Sequence, residues 1–214
     1  MKSSFTVSVD QSSEGALGQA WESYWFSPAS SRALAVVRIV TGSLGLLLCA
    51  SYGTAFSKWF GHHGWLPVDS VTAWRSPFAF SIFDACETNP ELSVAFYGLV
   101  FVFVLLAIGF ITPITSLLAA LGWASLLHRG PMLAGPADDC MAILLWCLVI
   151  GSSGEHFSVD AILHKRLGWS ISRPRVRTRI AVGLLQVHAA VISLAALLAQ
   201  LKGDVWWNGT AVWW

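Results

Sequence analysis

The chain has 214 residues, of which 55% are hydrophobic and only 12% charged, with a formal net charge of +1 and a mean hydropathy of +0.62. Soluble domains hold about 45–50% apolar and about 25% charged residues, so composition excludes an ordinary soluble fold; the net charge hides a local asymmetry and by itself says little about partners, and nucleic acid is not expected as one. Cys49, Cys86, Cys140 and Cys147 lack metal-ligand spacing. They predict no disulfide framework, with a Cys86–Cys140 pair left open.

In chain order, residues 1–13 are polar and Ser-rich and read as a disordered tail. No apolar run follows Lys2, so no cleavable signal peptide is expected and the first span directs insertion. Leu17, Ala20, Trp21, Tyr24 and Trp25 recur at helical spacing and predict an amphipathic helix lying in the membrane interface, where indole and phenol rings prefer to sit. Residues 1–31 thus form a tail and interfacial helix, and residues 32–214 a transmembrane domain. Its first span is predicted at 33–52, with Arg38 a turn or so inside it. The loop 53–91 carries an apolar half-segment, 78–83, too short to span and read as partly buried or re-entrant. The clearest span is 92–112, without a charge. A tight turn at Thr112-Pro113 leads into a third span, 114–128; Pro and Gly break the chain over 129–139; a fourth span follows at 140–151. After the basic loop 152–179 comes a fifth, 180–201, and WWNGTAVWW reads as the opening of a sixth helix. The predicted fold is therefore all-α, a polytopic transmembrane bundle of about five spans and the start of another.

Charge sets its orientation. Lys165, Arg166, Arg173, Arg175, Arg177 and Arg179 lie between spans four and five, and Lys2, Arg32 and Arg38 lie at the start of the chain. The positive-inside rule puts both regions in the cytoplasm, leaving Lys58, Arg75, Arg129 and Lys202 outside. The expected location is a bacterial cytoplasmic membrane with the N-terminus inside. His62, His63, Asp138, Asp139 and Lys202 then share the outward side.

The motifs VVRIVTGSLGLLL, FGHHGWLP, GPADDCMAILLW and SVDAIL, and above all LLQVHAAVISLAALLAQLKGDVWWNGTAVWW, give this chain a resemblance to the horizontally transferred transmembrane (HTTM) domain. That domain is the membrane part of vitamin K-dependent gamma-carboxylases and of many bacterial proteins. The resemblance covers most of the chain from about Arg32 onward. It implies that Lys202 takes the place of the lysine that acts as base toward a reduced quinone, and Trp207 that of the tryptophan five positions later. It also implies a quinol as cofactor and an incomplete domain at the C-terminal end. Where the carboxylases carry Asn-Asn-His, this chain has Asp138-Asp139-Cys140, so it resembles the bacterial branch.

Each candidate has a second reading from its residues alone. Lys202, beside Asp204, Trp206 and Trp207, is either a base whose amine an apolar wall keeps neutral, or a snorkelling lysine above an interfacial aromatic belt. Asp138 and Asp139 either polarise a substrate group or cap the fourth span and favour its dipole. Adjacent His62 and His63 ligate one ion poorly, so no metal site is expected, and GHHGWLP reads as a turn packed back on the bundle. Arg38 is expected to snorkel to cytoplasmic water, and Gln186 and His188 to bond between helices. The leading expectation is lysine-base chemistry on a quinol or an exported peptide at an outward surface of Lys202, Trp207, Asp138, Asp139, His62 and His63. The alternative is a noncatalytic membrane subunit that serves the maturation of, or immunity to, an exported peptide.

Overall fold

The computed structural model describes residues 11–61, 64–65, 71–73, 75, 79–167 and 175–210, and among them the regular structure is helical, with one isolated antiparallel bridge between Ala29 and Arg175. Helix α1 is Gln11–Phe26, α2 Arg32–Gly53 and α3 Phe56–Phe60, followed by a 3-10 turn at Ile82–Ala85. Then come α4 (Asn89–Ile108), α5 (Thr112–Arg129), α6 (Pro136–Ile150), α7 (Val159–Arg166), α8 (Val176–Lys202) and the single turn α9 (Asp204–Trp207). Local chemistry sets the boundaries. A capping box starts α4, in which Thr88 Oγ1 accepts from the Glu91 amide and Glu91 Oε2 accepts from the Thr88 amide. Gly109 ends it in the left-handed conformation, φ 72°.

Three helices, α2, α4 and α8, are long and apolar enough to cross a membrane. At about 1.5 Å per residue each reaches roughly 30 Å or more, the thickness of the hydrocarbon core. Helices α5 and α6, of 18 and 15 residues, are shorter. Several predicted boundaries move. The span expected to run to Thr112 stops at Ile108 because Gly109 breaks it, and the following helices gain residues at both ends or at the start. Helix α1 takes in Gln11 to Ser13, which composition alone assigns to the tail. The predicted sixth helix lies partly outside the described residues; α9 is its described turn.

Two polar ends organise the helices. At one, Tyr52 of α2 donates to Asp138 Oδ1 of α6, Trp123 Nε1 of α5 donates to the Asp138 carbonyl, and Arg129 Nη2 at the end of α5 donates to the Phe60 carbonyl. At the other, Arg38 near the start of α2 binds the 153–157 loop, the Asp160 amide donates to the Gly109 carbonyl after α4, and Arg177 Nε donates to the Ile150 carbonyl closing α6. Helices α5 and α6 therefore run between the same two ends as α2 and α4.

Between the ends sits the apolar core, with Trp123, Phe103, Leu106 and Leu145 fully buried and Phe56 stacked on Phe96 at 4.1 Å. In lipid such packing holds helices by close contact rather than by expulsion of water. Gly42 permits the closest approach: a Cβ there would lie 2.8 Å from the Ala107 Cα of α4. We predict that Gly42→Leu forces α2 off α4 and costs about 1–3 kcal/mol, read as a lower unfolding temperature in detergent. Gly98→Leu, where an added Cβ meets nothing within 4 Å, leaves that temperature unchanged.

Candidate functional site

The outward candidates separate into a buried acid and an exposed lysine. Asp138 lies in the first turn of α6 and is 5% exposed. Its Oδ2 accepts from the Gly135 amide at 2.8 Å and its Oδ1 from the Tyr52 hydroxyl at 3.0 Å. The carboxylate thus satisfies an orphan amide of the helix start and ties α2 to α6. Asp139 is exposed. Lys202 and Trp207 lie at the far end of α8, where every residue from Ala189 to Lys202 is exposed. The Trp207 indole donates to the Leu201 carbonyl at 2.8 Å. Lys202 forms no salt bridge with Asp138 or Asp139, or with any other carboxylate among the described residues. His62 and His63 lie outside the described residues. Among the described residues no group of three His, Cys, Asp or Glu side chains could hold a metal ion, and all four cysteines are free thiols.

Around Asp138 the same end carries a cluster that sequence spacing did not reveal. Asp84, on the 3-10 turn, pairs with Arg75 at 2.6 Å and lies 3.6 Å from Arg129 Nη1. Arg129 is 1% exposed. The half-segment expected to be partly buried supplies the scaffold: Phe83 enters the core, and Ser81 Oγ donates to the Ser125 carbonyl at 2.7 Å. A lone acid in a long loop carries no motif signal, so only tertiary contact identifies Asp84 as the acid that two arginines share.

The opposite end holds the most ordered polar node. Arg38 does not snorkel: it is fully buried, donating Nη1 to the Ser153 carbonyl at 2.7 Å and Nη2 to the Phe157 carbonyl at 2.5 Å. The Asp160 carboxylate, from outside the predicted spans, acts on it through the field rather than by direct contact. Asp160 in turn accepts from the Ile111 amide and from the Thr112 amide and hydroxyl, each at 2.7 Å, closing the start of α5. Ile111 and Phe157 both adopt positive φ here, 46° and 48°. A branched residue in that region costs of order 1–3 kcal/mol, so the node holds the chain in turns its residues disfavour. Gly109 must be glycine, because a Cβ would sit 2.8 Å from the Arg38 guanidinium carbon. Gln186 accepts from the Tyr24 hydroxyl at 2.9 Å, an interhelical bond as expected, while His188 bonds the Leu184 carbonyl of its own helix.

No protein-family model, curated protein or solved structure matches the chain. We predict that Arg38→Met, which leaves the Ser153 and Phe157 carbonyls without their donor and Asp160 without its counter-charge, destabilises the protein by about 3–5 kcal/mol. Arg38→Lys restores only part of this, since an ammonium cannot reproduce the guanidinium fork. Thermal unfolding in detergent measures both.

Proposed function

We propose that this chain is a five-span membrane protein of the HTTM type, with its N-terminus in the cytoplasm and its working surface facing outward. The observation that supports five spans is that α5 and α6 join the same two polar ends as α2 and α4. Helix α6, at roughly 22 Å, is accommodated by local thinning and by the polar caps at its two ends. A chain with only α2, α4 and α8 across the membrane would leave the turn after Arg129 in the cytoplasm. A single cysteine at that turn, Met132→Cys in a background whose four native cysteines are alanine, decides between them. The expected outcome is labelling by a membrane-impermeant maleimide added from outside; labelling only after permeabilisation rejects the five-span topology.

Within this topology the geometry supports the noncatalytic subunit better than the lysine base. A lysine base requires enclosure by an apolar wall, and Lys202 stands exposed on a stretch of α8 whose side chains all point away from the core. That stretch, with Val191, Leu194, Leu197, Leu198 and Leu201 exposed, is the surface offered to lipid and to a partner such as an exported protein or peptide. Lys202→Ala is accordingly expected to complement a deletion of the gene in full, while Leu194→Trp with Leu198→Trp fails although the protein still inserts. The enzymatic form of the proposal, Lys202 as base toward a quinol or an exported peptide, requires the opposite: complete loss in Lys202→Ala.

A further inference from the structure

Beside the Arg38 and Asp160 node, between the start of α5, the end of α6 and α7, lies a cavity of about 260 Å³. Pockets that enclose a drug-sized ligand run from about 300 to 1,000 Å³, so this one suits a headgroup rather than a whole amphiphile. Its lining includes the apolar Pro113, Leu148 and Val149 together with His164, Arg175 and Arg177.

The two acids on the lining are already occupied. Glu155 Oε1 forms an ion pair with Arg175 Nε at 2.9 Å, and Oε2 accepts from the Ser31 hydroxyl at 2.9 Å. Asp160 accepts three donors from Ile111 and Thr112. Arg177 sets its Nε on the Ile150 carbonyl at 3.2 Å, which holds its guanidinium on the cavity wall. A guanidinium has five N–H donors in a planar fork, so one bond each leaves both arginines with donors in the arrangement that suits phosphate oxygens. A neutral ring would leave those donors unmatched.

We infer that this cavity binds a phosphate group, presented as the headgroup of an anionic phospholipid whose chain leaves along Pro113 and Val149. A lining that holds apolar residues as well as arginines suits a lipid better than a soluble anion. Basic pockets between helices at the cytoplasmic face, where the anionic leaflet lies, recognise such headgroups. The choice of leaflet rests on the topology proposed above; the site does not.

The test places the full chain in nanodiscs of phosphatidylcholine alone or mixed with phosphatidylglycerol, and reads retained lipid by native mass spectrometry and stability by thermal unfolding. The expected result is preferential retention of phosphatidylglycerol and a higher unfolding temperature in the mixed discs. Arg177→Gln should weaken retention roughly tenfold, and Val149→Trp, which fills the space but keeps the charge, should do the same. Arg166→Gln, on α7 outside the lining, should change nothing. A rise in unfolding temperature with glycerol 3-phosphate in phosphatidylcholine discs, abolished by Arg177→Gln, keeps the phosphate site and assigns it to a soluble compound. Equal retention of both lipids with no response to glycerol 3-phosphate, or equal losses in Arg166→Gln and Arg177→Gln, overturns it. Lipid retention in a protein that fails the labelling at residue 132 displaces the leaflet and leaves the site standing.

Discussion

A buried guanidinium without a carboxylate on its own helix is the constraint from which the rest of this structure follows. Taking Arg38 out of water costs several kcal/mol unless its donors are met and its charge is balanced. The 153–157 loop provides carbonyls and Asp160 provides charge. Because Asp160 also closes the start of α5, the two charged groups together tie three elements: α2, the loop after α6 and the turn between α4 and α5. The two positive-φ residues, Ile111 and Phe157, are held in place by this arrangement.

The other end is built differently. There a carboxylate, Asp138, is the buried group, and neutral donors from Gly135 and Tyr52 satisfy it, while a second acid, Asp84, is shared between two arginines. Hydrogen bonds shared between helices favour one register, since a slip of even one turn would break them in an apolar medium. Helix α8 stands apart from this. Its first turns pack against α1 and the end of α6, where Tyr24 and Trp25 lie over Gly183 and Arg179 sits over the Tyr24 ring at 4.9 Å. Its outer half is exposed. A helix anchored at one end and apolar along the rest suits lipid or another helix.

Of the outward surface predicted from motifs, the structure brings Asp138 into a dense network and leaves Lys202 outside it. The reason is physical. A motif records which residues recur near one another along the chain, whereas enclosure depends on which helices meet in space. Lys202 follows an apolar run that any span would possess, so its surroundings carry no sequence signal. Arg38 illustrates the same limit from the other direction. A basic residue one turn inside a span looks like a snorkelling residue, because its carbonyl and carboxylate partners lie more than a hundred positions away.

The amino-acid sequence by itself determined that the chain is helical and made for a bilayer, because apolar runs of span length with few charges have no other stable setting. It also marked some helix breaks, such as the Pro- and Gly-containing stretch 129–139, but ran the second span past Gly109, where the helix ends. Only the tertiary structure decided which charges are buried, which acid meets which arginine and which half of α8 stays exposed, because those outcomes depend on contacts between distant segments. The same holds for the proposed phosphate cavity, whose two arginines lie at the start of α8, in a segment that sequence reads as a basic loop and a topological signal.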